Sequence, residues 1–307
     1  MKTEFYIDPE RLDTFFNFIN ERESIRLKKE QGLLKPWTTD PILQRYRFTN
    51  VRREDDTVTR WINDNWRVPY VDHTNLWFAM VVARFFNWPP TLELIGFPKD
   101  PIHNTIPDGP IDIGLPEYVD GWFSQARHLL HTAKAGGEKV FSSAYIVSTN
   151  GVKMNKIDYV IDCVLTPLWR NRNHIIPAVN NTTVRQAMQT LICYNGISHF
   201  LADQIVTDLT YTRYLRDASD INEFCYAGPG CIRGLNWLQG APVGACNGGL
   251  SQQKALKMLR ALYTYSPQKL SANFGAQRPL VLHDFENMCC EIYKYARGYS
   301  RNKYPGV

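Results

Sequence analysis

Apolar residues recur at helical spacing through most of this chain. Asp8 followed by Pro9 is typical of a helix start, and Gly32 follows the basic end of the same pattern. Residues 76–86 are apolar on nearly every side, which predicts a buried helix that ends before Asn87. Helical patterns return from residue 156 to residue 297. The sequence therefore predicts a mostly α-helical protein, without the alternating strands and helices of a parallel sheet.

Two stretches interrupt the helical pattern. Residues 97–116 hold five prolines and two glycines, which predicts a loop or lid. Residues 141–147 and the turn at Asn150 and Gly151 predict one small β-hairpin, because Asn-Gly is a strong hairpin signal.

Composition and charge narrow the class of protein. The chain has 307 residues, of which 44% are hydrophobic and 21% charged, as in ordinary globular proteins. The net charge of +5 permits a nucleic-acid partner without requiring one. No apolar run reaches the roughly 18–20 residues that span a bilayer, and the first residues carry acids where a signal peptide would be apolar. We therefore expect a soluble, cytoplasmic protein without a membrane partner.

Common catalytic motifs are missing from the sequence. It has no Walker A motif, no GxGxxG fingerprint and no GxSxG elbow. The 7 cysteines include no CxxC pair, which predicts mostly buried free thiols and no zinc site. The chemistry must then come from polar residues on helices, and four segments are candidates.

The first candidate is a pair of arginines that follows an asparagine. If Thr49 or Asn50 caps a helix, Arg52, Arg53 and Asp56 lie on one flank of it. Neighbouring arginines beside a helix N-terminus can hold a phosphate group. A solvent-exposed face of Arg–Asp pairs has the same spacing, and both interpretations stay open.

The second candidate is a pair of acids, Asp203 and Asp208, in the apolar segment 197–214, which predicts a long helix. A carboxylate among apolar side chains is costly to bury unless it is paired. These acids are therefore either members of a buried network or groups of an active site.

The third candidate is the glycine-rich segment 227–235, which lies between two helical patterns. A turn at Gly228 and Gly230 has the shape of a helix-hairpin-helix, whose backbone N–H groups hold a DNA phosphate. A helix cap followed by a first helical turn explains the same residues.

The fourth candidate is a polar stripe on the helix predicted at 280–297. Asp284, Asn287, Glu291 and Lys294 recur there at helical spacing. Such a stripe is usual for a solvated helix face, although this one stands among large aromatic residues.

These segments together resemble a known family. The matching stretches read RFTNVRREDD, LWFAMVVARFFNWP, GEKVFSSAYIV, FLADQIVTDLTYT, GPGCIRGLN and HDFENMCCEIYKYARG. They resemble the bacteriophage alpha-glutamyl/putrescinyl thymine pyrophosphorylases, which are amino acid:DNA transferases of thymine hypermodification. They are also similar to the helical domain attached to 5-hydroxymethyluracil DNA kinases. Those kinases carry a P-loop that this chain lacks, which favours the transferase.

The resemblance implies a bilobed helical fold similar to helix-hairpin-helix DNA glycosylases. The N-terminal lobe would span residues 1–150, with the proline-rich loop, and the C-terminal lobe residues 151–307, with the turn at 227–235. In the glycosylases a catalytic Asp follows the hairpin, but no acid lies between Cys231 and Lys269 here. That absence weakens the glycosylase interpretation and agrees with a fold reused for other chemistry.

The implied reaction takes place on double-stranded phage DNA in the cytoplasm of an infected host cell. An amino acid or polyamine displaces pyrophosphate from 5-(pyrophosphoryloxymethyl)uracil, with the target base flipped out of the duplex. The catalytic candidates are Asp203, Asp208, Asp284, Glu291 and Lys294. The candidates for binding substrate and pyrophosphate are Asn50, Arg52, Arg53, Lys139, Tyr145 and Arg233. The candidates for binding DNA are Gly228, Gly230, Cys231, Arg233 and Gly234.

Further expectations attach to this chemistry. Asp203 and Asp284 are expected to converge on one cleft. No cofactor is required, although a divalent metal could bridge the pyrophosphate to Asp284 and Glu286. A covalent route through Cys231 or Cys290 is a further option. The alternatives to a transferase are a glycosylase-like enzyme and a non-catalytic DNA-binding subunit of a kinase system.

Overall fold

The computed structural model describes residues 5–99, 121–143, 147–274 and 278–300. The described residues form α-helices and no β-strand. In chain order the helices are α1 (Pro9–Glu30), α2 (Pro41–Arg45), α3 (Thr57–Ile62), α4 (Leu76–Phe86), α5 (Pro89–Ile95), α6 (Trp122–Ala135), α7 (Lys156–Asp158), α8 (Thr166–Arg170), α9 (Arg172–Val179), α10 (Val184–Leu191), α11 (His199–Leu209), α12 (Pro229–Leu238), α13 (Gln252–Lys269) and α14 (Leu282–Ala296). Segments of π-helix at Asn63–Arg67 and Tyr159–Leu165 extend α3 and join α7 to α8. No helix in the described ranges is both long and apolar enough to cross a membrane.

The chain folds into two compact units. Unit 1 combines Met1–Asp56 with Ser219–Val307, and unit 2 is Thr57–Ala218. This grouping differs from lobes divided at residue 150, because the chain leaves the first unit after Asp56 and returns to it at Ser219. The predicted bilobed domain stays a prediction.

Unit 1 contains α1, α2 and α12 to α14. The Asp8 side chain accepts the Arg11 N–H at 3.1 Å, so α1 begins where the Asp-Pro pair predicted. The core of the unit is built largely by α1 and by the packing of α12 against α14, with Phe285 of α14 fully buried. The last helix therefore belongs to the core of the unit, and several of its polar side chains are buried there.

Unit 2 contains α3 to α11. All eleven residues of α4 are buried, as the apolar run predicted. The helix ends at Asn87, which has a left-handed backbone conformation (φ 45°), and Pro89 opens α5. Because α4 is enclosed on every side, its one charged residue, Arg84, must find its partners inside the unit.

The prediction of a helix capped by Thr49 or Asn50 was wrong up to Asp56, and a helix forms only at Thr57–Ile62, which is α3. Arg52 is extended (φ −83°, ψ 130°), and only a short 3₁₀ turn at Arg53–Asp55 precedes α3. The extended backbone turns the arginine side chains into the interior of unit 1, and contacts with distant residues stabilise it in place of helical hydrogen bonds.

The structure decides between the two interpretations of the glycine-rich segment. A short helix was also expected just before it, at residues 220–225, but residues 220–223 form a turn, and α12 begins directly after Gly228 with Pro229 at its first position. Gly230, Cys231, Arg233 and Gly234 are therefore helical residues of α12, so the alternative of a helix cap with a first turn describes this segment.

The predicted hairpin has its turn but not its strands. Asn150 and Gly151 have positive φ angles of 51° and 81°, and the Val152 N–H donates to the Thr149 oxygen at 3.0 Å. No strand flanks this turn in the described residues. Most of the proline-rich loop at 97–116 lies outside the described residues.

Candidate functional site

Unit 1 contains a concentration of buried charged side chains, which we call the polar cluster. Each member is less than a tenth exposed. The members are Arg22, Glu23, Arg26, Arg52, Arg53, His283, Asp284, Glu286 and Glu291. Buried charges are costly unless they are paired and hydrogen-bonded. The partners of each member therefore determine which groups hold the fold together and which could act on a ligand.

Arg52 is anchored on three sides. Its Nη1 donates to Glu23 Oε1 at 3.1 Å, and its Nε donates to the Arg278 carbonyl at 3.0 Å. The guanidinium lies 5.1 Å from the Phe274 ring centroid. The buried Nη2 donates no hydrogen bond to any described residue. Arg52 thus has mainly structural contacts, and its Nη2 is the nitrogen that has no described hydrogen-bond partner.

Asp284 joins the first and fourth candidate segments through the backbone. Its Oδ1 accepts the Arg53 N–H at 3.0 Å, and its Oδ2 accepts the Val281 N–H at 2.9 Å. The Arg278 Nη2 lies 3.6 Å from the same Oδ2. Burial raises the pKa of Asp284, and these partners oppose the rise. Both carboxylate oxygens are therefore engaged in capping α14 and in fixing residue 53.

Glu286 occupies the N-terminus of α12. Its Oε1 accepts the Gly228 N–H at 3.1 Å. The Gln252 amide bonds the adjacent Ala227 twice, donating to its oxygen at 2.8 Å and accepting from its N–H at 3.0 Å. The Gly228 N–H that was expected to hold a DNA phosphate is thus already bound to a carboxylate inside the protein.

The other glycines of α12 allow close packing on α14. A Cβ atom at Gly234 would lie 1.9 Å from the Cys289 carbonyl oxygen, and one at Gly230 would lie 2.7 Å from Cys290 Sγ. Cys231 is fully buried beside them. Arg233 is half-buried, and its guanidinium lies 5.7 Å from the Tyr293 ring centroid.

A more accessible rim lies beside the polar cluster, at residues 49 and 50. The Thr49 N–H donates to Glu291 Oε2 at 3.4 Å, and the Asn50 N–H donates to Asp56 Oδ1 at 2.8 Å. The Asn287 amide donates to Thr49 Oγ1 at 3.1 Å. Two carboxylates from different segments therefore hold adjacent backbone N–H groups.

Lys294 belongs to this rim through its ion pair. Its Nζ lies 2.5 Å from Glu291 Oε1. The polar stripe predicted on the last helix is thus not a simple solvated face, because Glu291 is buried while Lys294 is half-buried.

Asp56 differs from the other acids of this region. Its Oδ2 accepts no hydrogen bond from any described residue, and the side chain is half-buried. Burial raises the pKa of Asp56 to about 6, and Glu291 adds to the rise, while the Asn50 N–H, Arg53 and Arg22 oppose it. A half-buried carboxylate with a pKa near neutrality suits a general base. Sequence reasoning placed Asp56 on a helix flank and missed it as a site residue, since burial causes the shift.

The predicted acids of α11 lie in unit 2. Asp208 is fully buried and forms an ion pair with Arg84, whose Nε lies 2.5 Å from Asp208 Oδ2. Arg84 also donates to Thr59 Oγ1 at 3.0 Å and to Asn87 Oδ1 at 3.1 Å. Asp208 thus belongs to a buried network, one of the two roles its sequence allowed.

Asp203 is also buried, and its Oδ2 lies 3.4 Å from Gln204 Nε2. Its convergence with Asp284 stays a prediction, because Asp203 belongs to unit 2 and Asp284 to unit 1. Lys139, an exposed residue of unit 2, has its Nζ 4.1 Å from the Trp88 ring centroid. Tyr145 lies outside the described residues.

The covalent and metal options find little support in the geometry. Burial raises the pKa of both Cys231 and Cys290 well above the usual value, which disfavours the nucleophilic thiolate. Among the residues that the structure describes, no group of three His, Cys, Asp or Glu side chains could hold a metal. The carboxylates of Asp284 and Glu286 are bound to backbone N–H groups instead. The described residues therefore offer no such three-side-chain metal centre.

The fold and the cluster define a helical protein with a buried charged centre, and comparison with known proteins gives its family. Residues 9–304 match the family described as 5-hmdU DNA kinase, helical domain. The chain belongs to this family, and the resemblance to the kinase helical domain is confirmed.

A curated relative, the 5-hmdU DNA kinase of Bacillus phage SP10, is 24% identical over 322 residues. The match covers 96% of this chain and 47% of the relative, so the chain spans about half the length of that kinase. No solved structure matches the chain.

Proposed function

We propose that this protein modifies a thymine-derived base in phage DNA by replacing the pyrophosphate of 5-(pyrophosphoryloxymethyl)uracil with the amine of an amino acid or polyamine. Membership of the 5-hmdU DNA kinase helical-domain family supports a role in thymine hypermodification. The observation that carries the proposal is the rim of unit 1, where the half-buried Asp56 carboxylate has a pKa raised to about 6 and is influenced by the buried Arg53 and Arg22.

In the proposed reaction the amine nitrogen attacks the exocyclic methylene carbon. A C–N bond forms, and the C–O bond breaks with its electron pair leaving on pyrophosphate. The substituted nitrogen then carries an extra proton. Asp56 accepts this proton through Oδ2 and releases it to solvent. A group with a pKa of about 6 is mostly ionised at neutral pH and can act as this base.

The charges around the rim suit the leaving group. Pyrophosphate needs cations that stabilise its developing negative charge, and Arg53 and Arg22 both act on the charge of Asp56. Arg52 offers the buried Nη2 that donates to no described residue. Of the residues predicted to bind pyrophosphate, we therefore retain Arg52 and Arg53, with Asn50 as the residue that positions Asp56.

The remaining predicted catalytic residues have three different roles in this proposal. Glu291 and Lys294 stay as positioning residues, since Glu291 holds the Thr49 N–H at the rim. Asp284 and Asp208 are better explained as structural groups, because backbone N–H groups and Arg84 engage them. Asp203 stays a candidate base in unit 2.

The test supplies DNA that contains 5-(pyrophosphoryloxymethyl)uracil together with a panel of amines, and analyses the nucleosides by mass spectrometry. We expect an aminomethyl nucleoside and one equivalent of pyrophosphate. Asp56→Asn should lower the turnover rate by about 10²–10⁴-fold and leave DNA affinity unchanged. Asp13→Asn is the matched control, since Asp13 is an exposed acid of the same unit, and it should keep full activity.

The other outcomes identify the alternatives. An abasic site would indicate a glycosylase-like enzyme, and an active Asp56→Asn variant would remove Asp56 from the reaction. A second candidate function, a non-catalytic DNA-binding domain that serves a kinase, is favoured by the internal engagement of Asp284 and Asp208. It predicts DNA binding without any new nucleoside, and faster phosphorylation of 5-hydroxymethyluracil DNA by a separately supplied kinase.

A further inference from the structure

Unit 1 carries a surface on which cations lie over aromatic rings, far along the chain from the predicted glycine-rich site. We call it the basic–aromatic strip and define it by Lys35, Trp37, Arg45, Tyr46, Arg297 and Tyr299. Lys35 Nζ lies 5.5 Å from the Trp37 ring centroid, and Arg45 Cζ lies 5.4 Å from that of Tyr46.

Contacts between distant segments join the part of the strip around Tyr46 to the part around Tyr299. The Tyr46 and Tyr299 ring centroids are 5.8 Å apart, in an edge-to-face arrangement. The Ser300 hydroxyl donates to the Arg47 carbonyl at 3.1 Å, close to both rings in sequence. The residues after α2 and the residues after α14 are therefore held side by side.

The cations of the strip are crowded and accessible. Arg45, Arg47 and Arg297 are exposed, and the ring of Tyr299 is 42% exposed. No described carboxylate lies within ion-pairing distance of Arg45 or Arg297. Burial lowers the pKa of Lys29, and the Arg47 guanidinium lowers it further, as expected where cations crowd together.

The strip extends along α14 toward α12. The Arg297 guanidinium lies 5.7 Å from the ring centroids of both Tyr299 and Tyr293. The Arg233 guanidinium also lies 5.7 Å from the Tyr293 ring centroid. Arg233, which was predicted to bind DNA from the glycine-rich segment, therefore shares an aromatic neighbour with the strip.

Two features of the strip match one class of ligand. Guanidinium and ammonium groups neutralise phosphates, and accessible aromatic rings stack on bases or pack on sugars. Tyr and Trp rings also occur at membrane interfaces, so the test below compares DNA with anionic vesicles. We infer that the basic–aromatic strip is a DNA-binding surface of unit 1, with phosphates on Arg45 and Arg297 and a nucleoside against Tyr299. This inference rests on the proposed function only for the choice of DNA over RNA.

The test measures DNA affinity of the full chain by fluorescence anisotropy, with labelled unmodified duplex and single strand at several salt concentrations. The double variant Arg45→Gln/Arg297→Gln should bind duplex about tenfold more weakly at 0.1 M salt. The slope of log K against log[salt] should fall in magnitude by about 1.8, since each lost phosphate contact removes about 0.9. Tyr299→Ala should weaken single-strand binding more than duplex binding.

The matched control removes the same charge elsewhere. Arg170→Gln/Lys254→Gln neutralises an exposed arginine of unit 2 and a half-buried lysine of α13, and it should keep both the affinity and the slope. Thermal unfolding of all variants checks that they are folded. Equal losses in the control and the strip variant would overturn the inference, as would an unchanged strip variant or tighter binding of RNA or anionic vesicles than of DNA.

The result separates this inference from the proposed function. A wild-type protein that binds DNA through the strip but forms no aminomethyl nucleoside supports the inference and contradicts the proposed function. Product formation with unchanged affinity in the strip variant contradicts the inference alone. A wild-type protein without DNA affinity contradicts both.

Discussion

Replacement of Gly234 by alanine tests whether this glycine packs two helices or contacts DNA. The added Cβ would lie 1.9 Å from the Cys289 carbonyl oxygen and 2.7 Å from its carbon, whereas ordinary contacts are about 3.5–4.0 Å. The clashing atoms are backbone, so no rotamer change relieves them and α12 must move away from α14. Overpacking costs about 1–3 kcal/mol, and the loosened core around α12 adds to it. We expect a loss of about 3 kcal/mol.

The assay is urea unfolding followed by circular dichroism, with Gly244→Ala as the control. Gly244 has no heavy atom within 4 Å of an added Cβ, so its stability should stay within about 1 kcal/mol of the wild type. Gly230→Ala meets a side chain, Cys290 Sγ at 2.7 Å. Cys290→Ala should therefore rescue Gly230→Ala but not Gly234→Ala. A Gly234→Ala protein of wild-type stability with weakened DNA binding would refute the packing explanation.

Three further predictions concern the buried ionisable groups. Asp208→Asn leaves Arg84 buried without its carboxylate and should lower the free energy of unfolding in urea by about 3–5 kcal/mol. The double variant Arg84→Met/Asp208→Leu should recover most of that loss. A stable but inactive Asp208→Asn protein would contradict the structural role. The pKa of Asp56 is raised from 3.8 to about 6 in the folded state, so the unfolded chain releases this proton first and stability should fall as pH rises between about 4 and 6. This contribution is at most about 3 kcal/mol, and Asp56→Asn should remove it from the measured profile; identical profiles would disprove it. The pKa of His283 is lowered to about 3, mainly by burial, so the NMR signals of its ring should not titrate between pH 8 and 4.5. Because the unfolded chain binds this proton first, the free energy of unfolding should fall as pH decreases from 6.5 toward 3. A transition near pH 6.5 in the folded protein would show that the ring is hydrated.

Helices and turns that depend on local interactions were predictable from the sequence. The start of α1 follows from Asp8 and Pro9, since a carboxylate cap and a fixed φ angle act within one turn. The burial of α4 follows from its uniformly apolar composition. The Asn150-Gly151 turn formed as its residues require, although strands did not form beside it in the described residues.

Segments whose conformation depends on distant contacts were predicted incorrectly. Residues 51–56 have helical spacing, but the Arg53 N–H bonds Asp284, Arg52 is extended and only a 3₁₀ turn forms at Arg53–Asp55. The glycines of α12 allowed two interpretations, a phosphate-binding turn and a helix cap with a first turn, because a sequence cannot distinguish glycines that approach a ligand from glycines that approach a second helix. In both cases the deciding partner belongs to α14, far along the chain.

The sequence by itself determined the helical class, the positions of most helices and the kinds of side chain available for chemistry. Spacing and capping encode these properties within a few residues of each position. The tertiary structure alone decided which charges meet. It joined the Arg53 backbone N–H to the Asp284 carboxylate across 231 positions and the Arg84 side chain to Asp208 across 124, and it placed the half-buried Asp56 beside the Asn50 N–H. Burial and long-range contact set the partner and the pKa of each group, and neither is written in local spacing.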